Sequence, residues 1–395
     1  MTRHLLAARA LRAFADGYVA ILLPTYLLAL GLATWQVGVL ATGTLLGSAL
    51  ATLAVGAWGH RVAPTRLLRA AAWLMAATGV AFAALPAFTA AFWPLLLVAF
   101  VGTLNPSSGD VSVFLPLEQA RLAEAAQGEA RTALFARYSM TGALCAAVGA
   151  LASGLPDQLR RLAGLAEVDA LRTMFALYGL IGLCVWGLYR RLPAPHVDEV
   201  AARPAPLAAS KAVVLKLAML FSVDSFAGGL VVNALMALWL LQRFGLSLAA
   251  TGLFFMWVGL LSALSQLAAP WLAGRIGLLR TMVITHIPAS LCLIAAAFVP
   301  RVEWALGLLL VRALLSQMDV PARGAFVMSV VTPAERTAAA SFTAVPRSLA
   351  SALGPTLGGA LFAAGWLAAP LVMCGALKIA YDLALWRAFR SQRLS

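Results

Sequence analysis

The sequence predicts an all-α membrane protein of twelve transmembrane helices arranged as two related bundles of six. Three observations carry this: the composition, the spacing of the apolar runs, and matched positions in the two halves. Of 395 residues, 62% are hydrophobic and only 11% charged. An ordinary soluble domain is about 25% charged. A water-soluble chain of this length has nowhere to hide so much apolar surface.

A helix needs about 20 apolar residues to cross a bilayer. Twelve such runs occur, at roughly 8–31, 35–58, 65–86, 90–113, 131–154, 170–190, 214–241, 248–273, 279–299, 303–325, 338–363 and 367–388. They are called spans 1 to 12 here. Trp35, Trp58, Trp239, Trp271, Trp304, Trp366 and Trp386 fall near span ends, where interfacial aromatics sit. The first run lacks a small-residue cleavage site and is expected to be retained as a helix.

The net charge of +14 is spread over short loops, where it acts as an orientation signal rather than a nucleic-acid footprint. With the N-terminus inside, the cytoplasmic segments hold Arg3, Arg61, Arg66, Arg69, Arg190, Arg191, Arg203, Lys211, Arg275, Arg280, Arg336, Arg387, Arg390 and Arg393. The outer loops hold little beyond Arg160, Arg161, Arg243 and Arg301. Both termini are thus expected in the cytoplasm. Ala and Leu dominate the apolar filler, and Lys211, Lys216 and Lys378 are the only lysines. That pattern points to a GC-rich bacterial source, and hence to the cytoplasmic (inner) membrane. Cys145, Cys184, Cys292 and Cys374 each lie in a span at spacings that suit neither a metal site nor a disulfide framework.

Segment 191–212 is the only long polar linker with several prolines. It divides the chain into an N-terminal bundle, 1–190, and a C-terminal bundle, 213–395. Gly31–Arg66 overlays Gly245–Arg280 without a gap, matching Gly38 to Gly252, Ser48 to Ser262 and Arg61 to Arg275. Arg131-Thr132-Ala133 overlays Arg336-Thr337-Ala338 and carries Gly149 onto Gly354. Asp110-Val111 overlays Asp319-Val320, and Asp16-x-Tyr18 overlays Asp224-x-Phe226. Six-plus-six spans with parallel repeats are a known transporter plan.

The chain is organised around Val311–Arg323. It lies in an apolar run yet carries Arg312, Asp319 and Arg323. On one continuous helix Arg312, Ser316, Asp319 and Arg323 return to a single face. A charge facing lipid costs about 2.5–3.5 kcal/mol on insertion scales, so this stripe should face water or a partner helix. Local pairs are expected for Asp319 with Arg323, Asp16 with Arg12 and Lys378 with Asp382, each spaced i, i+4. Arg312, Arg347 and Arg137 lie deep in spans 10, 11 and 5. A guanidinium at such depth needs a carboxylate or an anionic ligand. For Arg312 and Arg347, neutralising Asp319 and Asp224 is weighed above binding an anionic substrate. His286, before Pro288, is read as a hydrogen-bonded structural histidine ahead of a titrating one. Tyr18, Tyr26, Tyr138 and Asn233 add polar contacts.

Two loops carry a resemblance. Gly56-Ala57-Trp58-Gly59-His60-Arg61 and Leu272-Ala273-Gly274-Arg275-Ile276-Gly277 resemble the paired signature loops of the major facilitator superfamily, although His60 and Gly274 stand where that family has aspartate. Gly354-Pro355-Thr356-Leu357-Gly358-Gly359 in span 11 resembles its antiporter signature, which normally lies in helix 5. The resemblance covers nearly the whole chain and implies a twelve-helix carrier working by alternating access. It places spans 1, 4, 7 and 10 around a central cavity. Asp16, Asp110, Asp224 and Asp319 are then expected to couple protons. Arg312, Arg347, Arg137, Tyr18 and Asn233 are expected to bind substrate. Arg61, Arg275, Gly354, Pro355, Gly358 and Gly359 are expected to serve gating.

The expected function is proton-coupled export of a small molecule. The alternative is a proton symporter or facilitator importing a small organic anion. No nucleophile motif, metal-ligand cluster or phosphate loop supports an enzyme, and the absence of a Walker motif leaves ATP no way to drive transport within this chain. No cofactor, metal or nucleic-acid partner is expected. The expected partners are the substrate, protons and the bilayer, and the family resemblance implies a monomer.

Overall fold

The computed structural model describes residues 1–58, 62–88, 92–107, 112–123, 125, 128–193, 210–332 and 335–390. All regular structure among them is helical. In chain order the helices are α1 (Thr2–Ala29), α2 (Thr34–Trp58), α3 (Pro64–Phe88), α4 (Phe92–Val101), α5 (Phe114–Ala123), α6 (Gly128–Ala152), α7 (Leu155–Ala163) and α8 (Glu167–Arg190). They continue with α9 (Lys211–Gly229), α10 (Asn233–Phe244), α11 (Leu248–Ile276), α12 (Leu278–Ala296), α13 (Val302–Ser316), α14 (Asp319–Ser329), α15 (Arg336–Ala363) and α16 (Ala369–Phe389). Among the described residues, nine helical stretches are long and apolar enough to cross a membrane. Span 1 (α1), span 4 (α4 with α5) and span 11 (α15) complete the twelve.

Three spans are broken, where the apolar pattern predicts continuous helices. Span 10 stops at Ser316 and restarts at Asp319. Pro321 is the cause: it has no N–H to give the carbonyl of Gln317, and its ring crowds that carbonyl. Arg312 and Asp319 therefore stand on either side of a two-residue break, and the ion pairs of this stretch are made by Asp319 and Arg323. Span 4 leaves the helix after Val101, ahead of Pro106, and resumes as α5, which runs through residues expected to be loop. Span 7 breaks after Gly228-Gly229, between α9 and α10. The freed donor Ala234 N–H finds the Pro106 carbonyl at 3.0 Å, so one break caps another. Spans 4 and 10, which are both interrupted, are the pair matched by the overlay of Asp110 on Asp319.

The chain forms two compact units: Met1–Val197 with Val232–Met256, and Asp198–Val231 with Trp257–Ser395. In the first, α3 packs on α8, α1 on α6 and α8, α2 on α4, and α10 on α1. In the second, α9 packs on α15 and α16, and α12 on α13, α14 and α16. One end of the second unit is a dry cluster built on Val214, Leu217, Phe221, Phe326, Leu385 and Phe389. Large apolar side chains such as Trp73, Trp93, Met219, Leu267 and Trp304 point outward. On a membrane protein that is the face offered to lipid tails.

Repeat-matched glycines occupy the same helix pair in each half. A Cβ on Gly149 (α6) would stand 2.0 Å from the Phe14 carbonyl oxygen of α1, and one on Gly354 (α15) 2.3 Å from the Gly229 carbonyl carbon of α9. Only glycine permits these backbone approaches. Pro346 and Pro355 both lie inside α15, which runs on through them.

Candidate functional site

The candidate site is a buried ion cluster in the second unit. It begins at Asp224 on α9, about 20 Å along the helix from Lys211 at ~1.5 Å per residue. Its carboxylate accepts from Arg323 Nη2 at 2.9 Å and from Lys378 Nζ at 2.6 Å. Arg323, one turn into α14, also pairs with Asp319 of its own helix. His286 Nε2 on α12 stands 3.8 Å from Asp224 and 3.4 Å from Lys378 Nζ. Its Nδ1 lies 3.0 Å from Asp382 on α16. Asp224, Asp319 and His286 are each 3% exposed and Asp382 0%. Four spans, 7, 9, 10 and 12, thus converge on one charged centre. Buried charges are tolerated only when paired and hydrogen-bonded, and here each acid meets a partner.

Of the local pairs the sequence suggests, Asp319 with Arg323 forms, while that of Lys378 with Asp382 is replaced. Lys378 and Asp382 do not pair with each other: Lys378 turns to Asp224 and Asp382 to His286. Arg312 and Arg347 do not neutralise Asp319 and Asp224, because Arg323 and Lys378 do. Among the described residues Arg347 forms no ion pair, and its Nε donates to Ser225 Oγ at 3.3 Å. Arg312, on α13, forms none either. Beside the cluster is a cavity of about 180 Å³, lined by Phe221, Val320, Arg323, Gly324, Val327, Met328, Thr343, Ala344 and Arg347. Among the described residues no group of His, Cys, Asp and Glu could hold a metal ion.

Residues 5–316 match the family described as the Major Facilitator Superfamily. The chain belongs to the Major Facilitator Superfamily. It is an integral, multi-pass membrane transporter and not an enzyme. At 25% identity it aligns with the uncharacterized membrane protein YJR124C of Saccharomyces cerevisiae, over 95% of this chain and 91% of the yeast one. Its fold is similar to that of a bacterial homologue of the human lysosomal transporter Spinster in an inward-facing, occupied conformation, with TM-score 0.76 and 16% identity, covering 100% of this chain and 98% of that one. It is also similar to the nucleoside transporter NupG, with TM-score 0.76 and 13% identity over 99% of both chains. For the D-xylose–proton symporter the TM-score is 0.75 at 16% identity over 97% of both.

In this superfamily member the first unit carries a second buried ionic knot, which sequence reasoning missed. Glu118 on α5 is 0% exposed. Its carboxylate takes the Arg12 guanidinium of α1, the Tyr138 hydroxyl of α6 at 2.5 Å and the Tyr189 hydroxyl of α8 at 2.6 Å. Arg12 also lies over the Phe114 ring at 4.2 Å and reaches Ser112 Oγ at 3.3 Å. Arg12 therefore pairs across helices with Glu118. Tyr18 is buried, and its hydroxyl donates to the Met174 carbonyl at 3.2 Å. Asp16 is partly buried on α1, Asn233 opens α10, and Arg137 is exposed on α6. Arg275 stacks on Trp271 at 4.3 Å, while Gly358 and Gly359 are buried in α15. Asp110 and Arg61 fall outside the described residues. So does most of linker 191–212.

Proposed function

We propose that this transporter moves a small molecule by alternating access, coupled to protons held at the cluster around Asp224. The observation that supports the reading is the continuous polar path Asp382–His286–Lys378–Asp224–Arg323–Asp319. It is buried where water cannot compensate a change of charge. Adding or removing a proton there alters which pairs are balanced, and so alters which helix arrangement is favoured. Chains of Asp and His inside membrane proteins serve as proton relays. Histidine is the side chain in this path whose ordinary titration range is closest to neutral pH.

Two directions of coupling fit a proton held here. Export in exchange for protons is favoured by span 11, whose Gly354-Pro355-Thr356-Leu357-Gly358-Gly359 resembles an antiporter element. Import of an organic anion together with a proton is favoured by Arg347, which stands in a cavity beside the cluster and forms no ion pair among the described residues. We place the protein in a bacterial cytoplasmic membrane as a monomer, with both termini inside.

The test uses proteoliposomes enclosing a pH-sensitive dye, with lipophilic cations, sugars, organic acids and oxyanions added in turn. Substrate-driven proton movement in the wild type, lost in Asp224→Asn and Asp319→Asn at normal expression and folding, is the expected result. Proton-driven transport retained in both variants would sink the proposal. Opposed movement of proton and substrate gives export by exchange, and parallel movement gives co-transport.

A further inference from the structure

We propose that the cavity between α9, α14 and α15 holds the head of an amphipathic organic monoanion, and that this anion binds together with a proton. The second half rests on the proton-coupled reading above; the first does not.

The cavity is small. At about 180 Å³ it falls below the roughly 300–1,000 Å³ of sites that enclose a drug-sized ligand. It suits a head group and the start of a tail. Its walls divide by chemistry: Arg323, Arg347 and Thr343 are polar, and Phe221, Val327 and Met328 are apolar. The two arginines are not equivalent. Arg323 is balanced by Asp224 and Asp319, yet its buried Nε has no hydrogen-bond partner. Arg347 forms no ion pair among the described residues; its Nε holds Ser225 Oγ, which leaves the outer fork of the guanidinium to a ligand. A planar fork in apolar surroundings is matched by a carboxylate or a similar oxyanion. A guanidinium outside any ion pair is best met by a ligand with one negative charge. An ammonium would be set against the like charge of Arg347. A neutral ligand would leave the half-buried Arg347 beside apolar walls without a counter-charge.

The same geometry sets the sign of coupling. Arg323 pairs with both Asp224 and Asp319, and Lys378 with Asp224. An anion arriving at Arg347 within reach of Arg323 competes with Asp319 for that guanidinium. A carboxylate released from its cation in a buried site is driven to take a proton. Anion and proton therefore favour each other's binding, which is the condition for moving them in the same direction.

The experiment compares hexanoate, hexanol and hexylamine, which share a tail and differ in the head, by calorimetry on the purified full-length protein in detergent. Buffers of different ionisation enthalpy report proton uptake. Hexanoate should bind and raise the melting temperature, with a proton taken up, and the other two should do neither. Arg347→Gln should weaken hexanoate by about tenfold or more, the loss expected for a charge-assisted pair. Arg347→Lys, which keeps the charge without the fork, should fall between and serves where the glutamine variant does not fold. Equal binding of hexanol or hexylamine, or unchanged affinity in a folded Arg347 variant, would overturn the anion site. Hexanoate binding without proton uptake would leave the anion site standing and remove the coupling.

Discussion

Lys378 Nζ reaches from α16 to within 2.6 Å of Asp224 Oδ1 on α9, with the two side chains 12% and 5% exposed. An ion pair so placed contributes little net stability when intact, but losing one partner strands a buried charge at a cost of about 3–5 kcal/mol. Lys378→Met and Asp224→Asn should therefore each lower the melting temperature strongly. The double variant should lose clearly less than the two singles together. A thermal double-mutant cycle in detergent checks this, and additive losses would show that the two residues do not act as a pair.

His286 lies between two acids, 3.0 Å from Asp382 and 3.8 Å from Asp224. If protons pass along this path, His286→Gln breaks the contacts that join Asp382 to Lys378 and Asp224. Substrate-driven proton movement should then fall severalfold in a variant that still folds. A pH-sensitive dye in proteoliposomes decides it, and a wild-type rate would exclude His286 from the path.

These two residues show what the sequence does and does not disclose. Spans are legible because a bilayer imposes one length and one polarity on each of them. Asp224, Asp319, Arg323 and Arg347 stand out for the same reason, as charges in apolar runs. Their partners are harder to read. Spacing along one helix suggests Lys378 with Asp382, but contacts between helices decide the matter, and a sequence does not state which helix faces which. The breaks at Pro321 and Gly228-Gly229 carry local signals that continuous hydropathy conceals. Glu118 was missed because it follows the apolar run of span 4, in residues that read as loop until α5 is seen to continue the span.

Glu118 should behave as a structural anchor. It is fully buried and satisfies Arg12, Tyr138 and Tyr189 at once. Glu118→Gln keeps the shape and removes the charge that balances Arg12, so a loss of about 3–5 kcal/mol is expected. Tyr138→Phe removes one hydrogen bond to a charged group, worth about 1.5–3 kcal/mol. The overlay of Asp110 on Asp319 sets Glu118 opposite Val327, which belongs to the dry cluster of the second unit. One repeat thus uses an ionic knot where the other uses apolar packing. Melting curves should rank Glu118→Gln below Tyr138→Phe, and the reverse order would contradict the anchoring role.

Gly354 and Gly307 separate close packing from helix propensity. Replacing glycine by alanine within a helix gains about 0.8–1 kcal/mol where the methyl group has room. At Gly307 on α13 nothing lies within 4 Å of the new Cβ, so Gly307→Ala should be neutral or mildly stabilising. At Gly354 the Cβ would stand 2.3 Å from the Gly229 carbonyl carbon and 2.6 Å from the Leu230 nitrogen. Both obstacles are backbone atoms beside the break in span 7, so α9 and α15 must separate. Overpacking of this kind costs about 1–3 kcal/mol and outweighs the propensity gain. Gly354→Ala should therefore melt below the wild type while Gly307→Ala does not. If the spans 7 and 11 crossing also moves during transport, Gly354→Ala will slow turnover more than its stability loss explains, measured at a temperature where both variants remain folded. Equal melting temperatures for the two variants would show that the crossing tolerates a methyl group and that its glycines are dispensable.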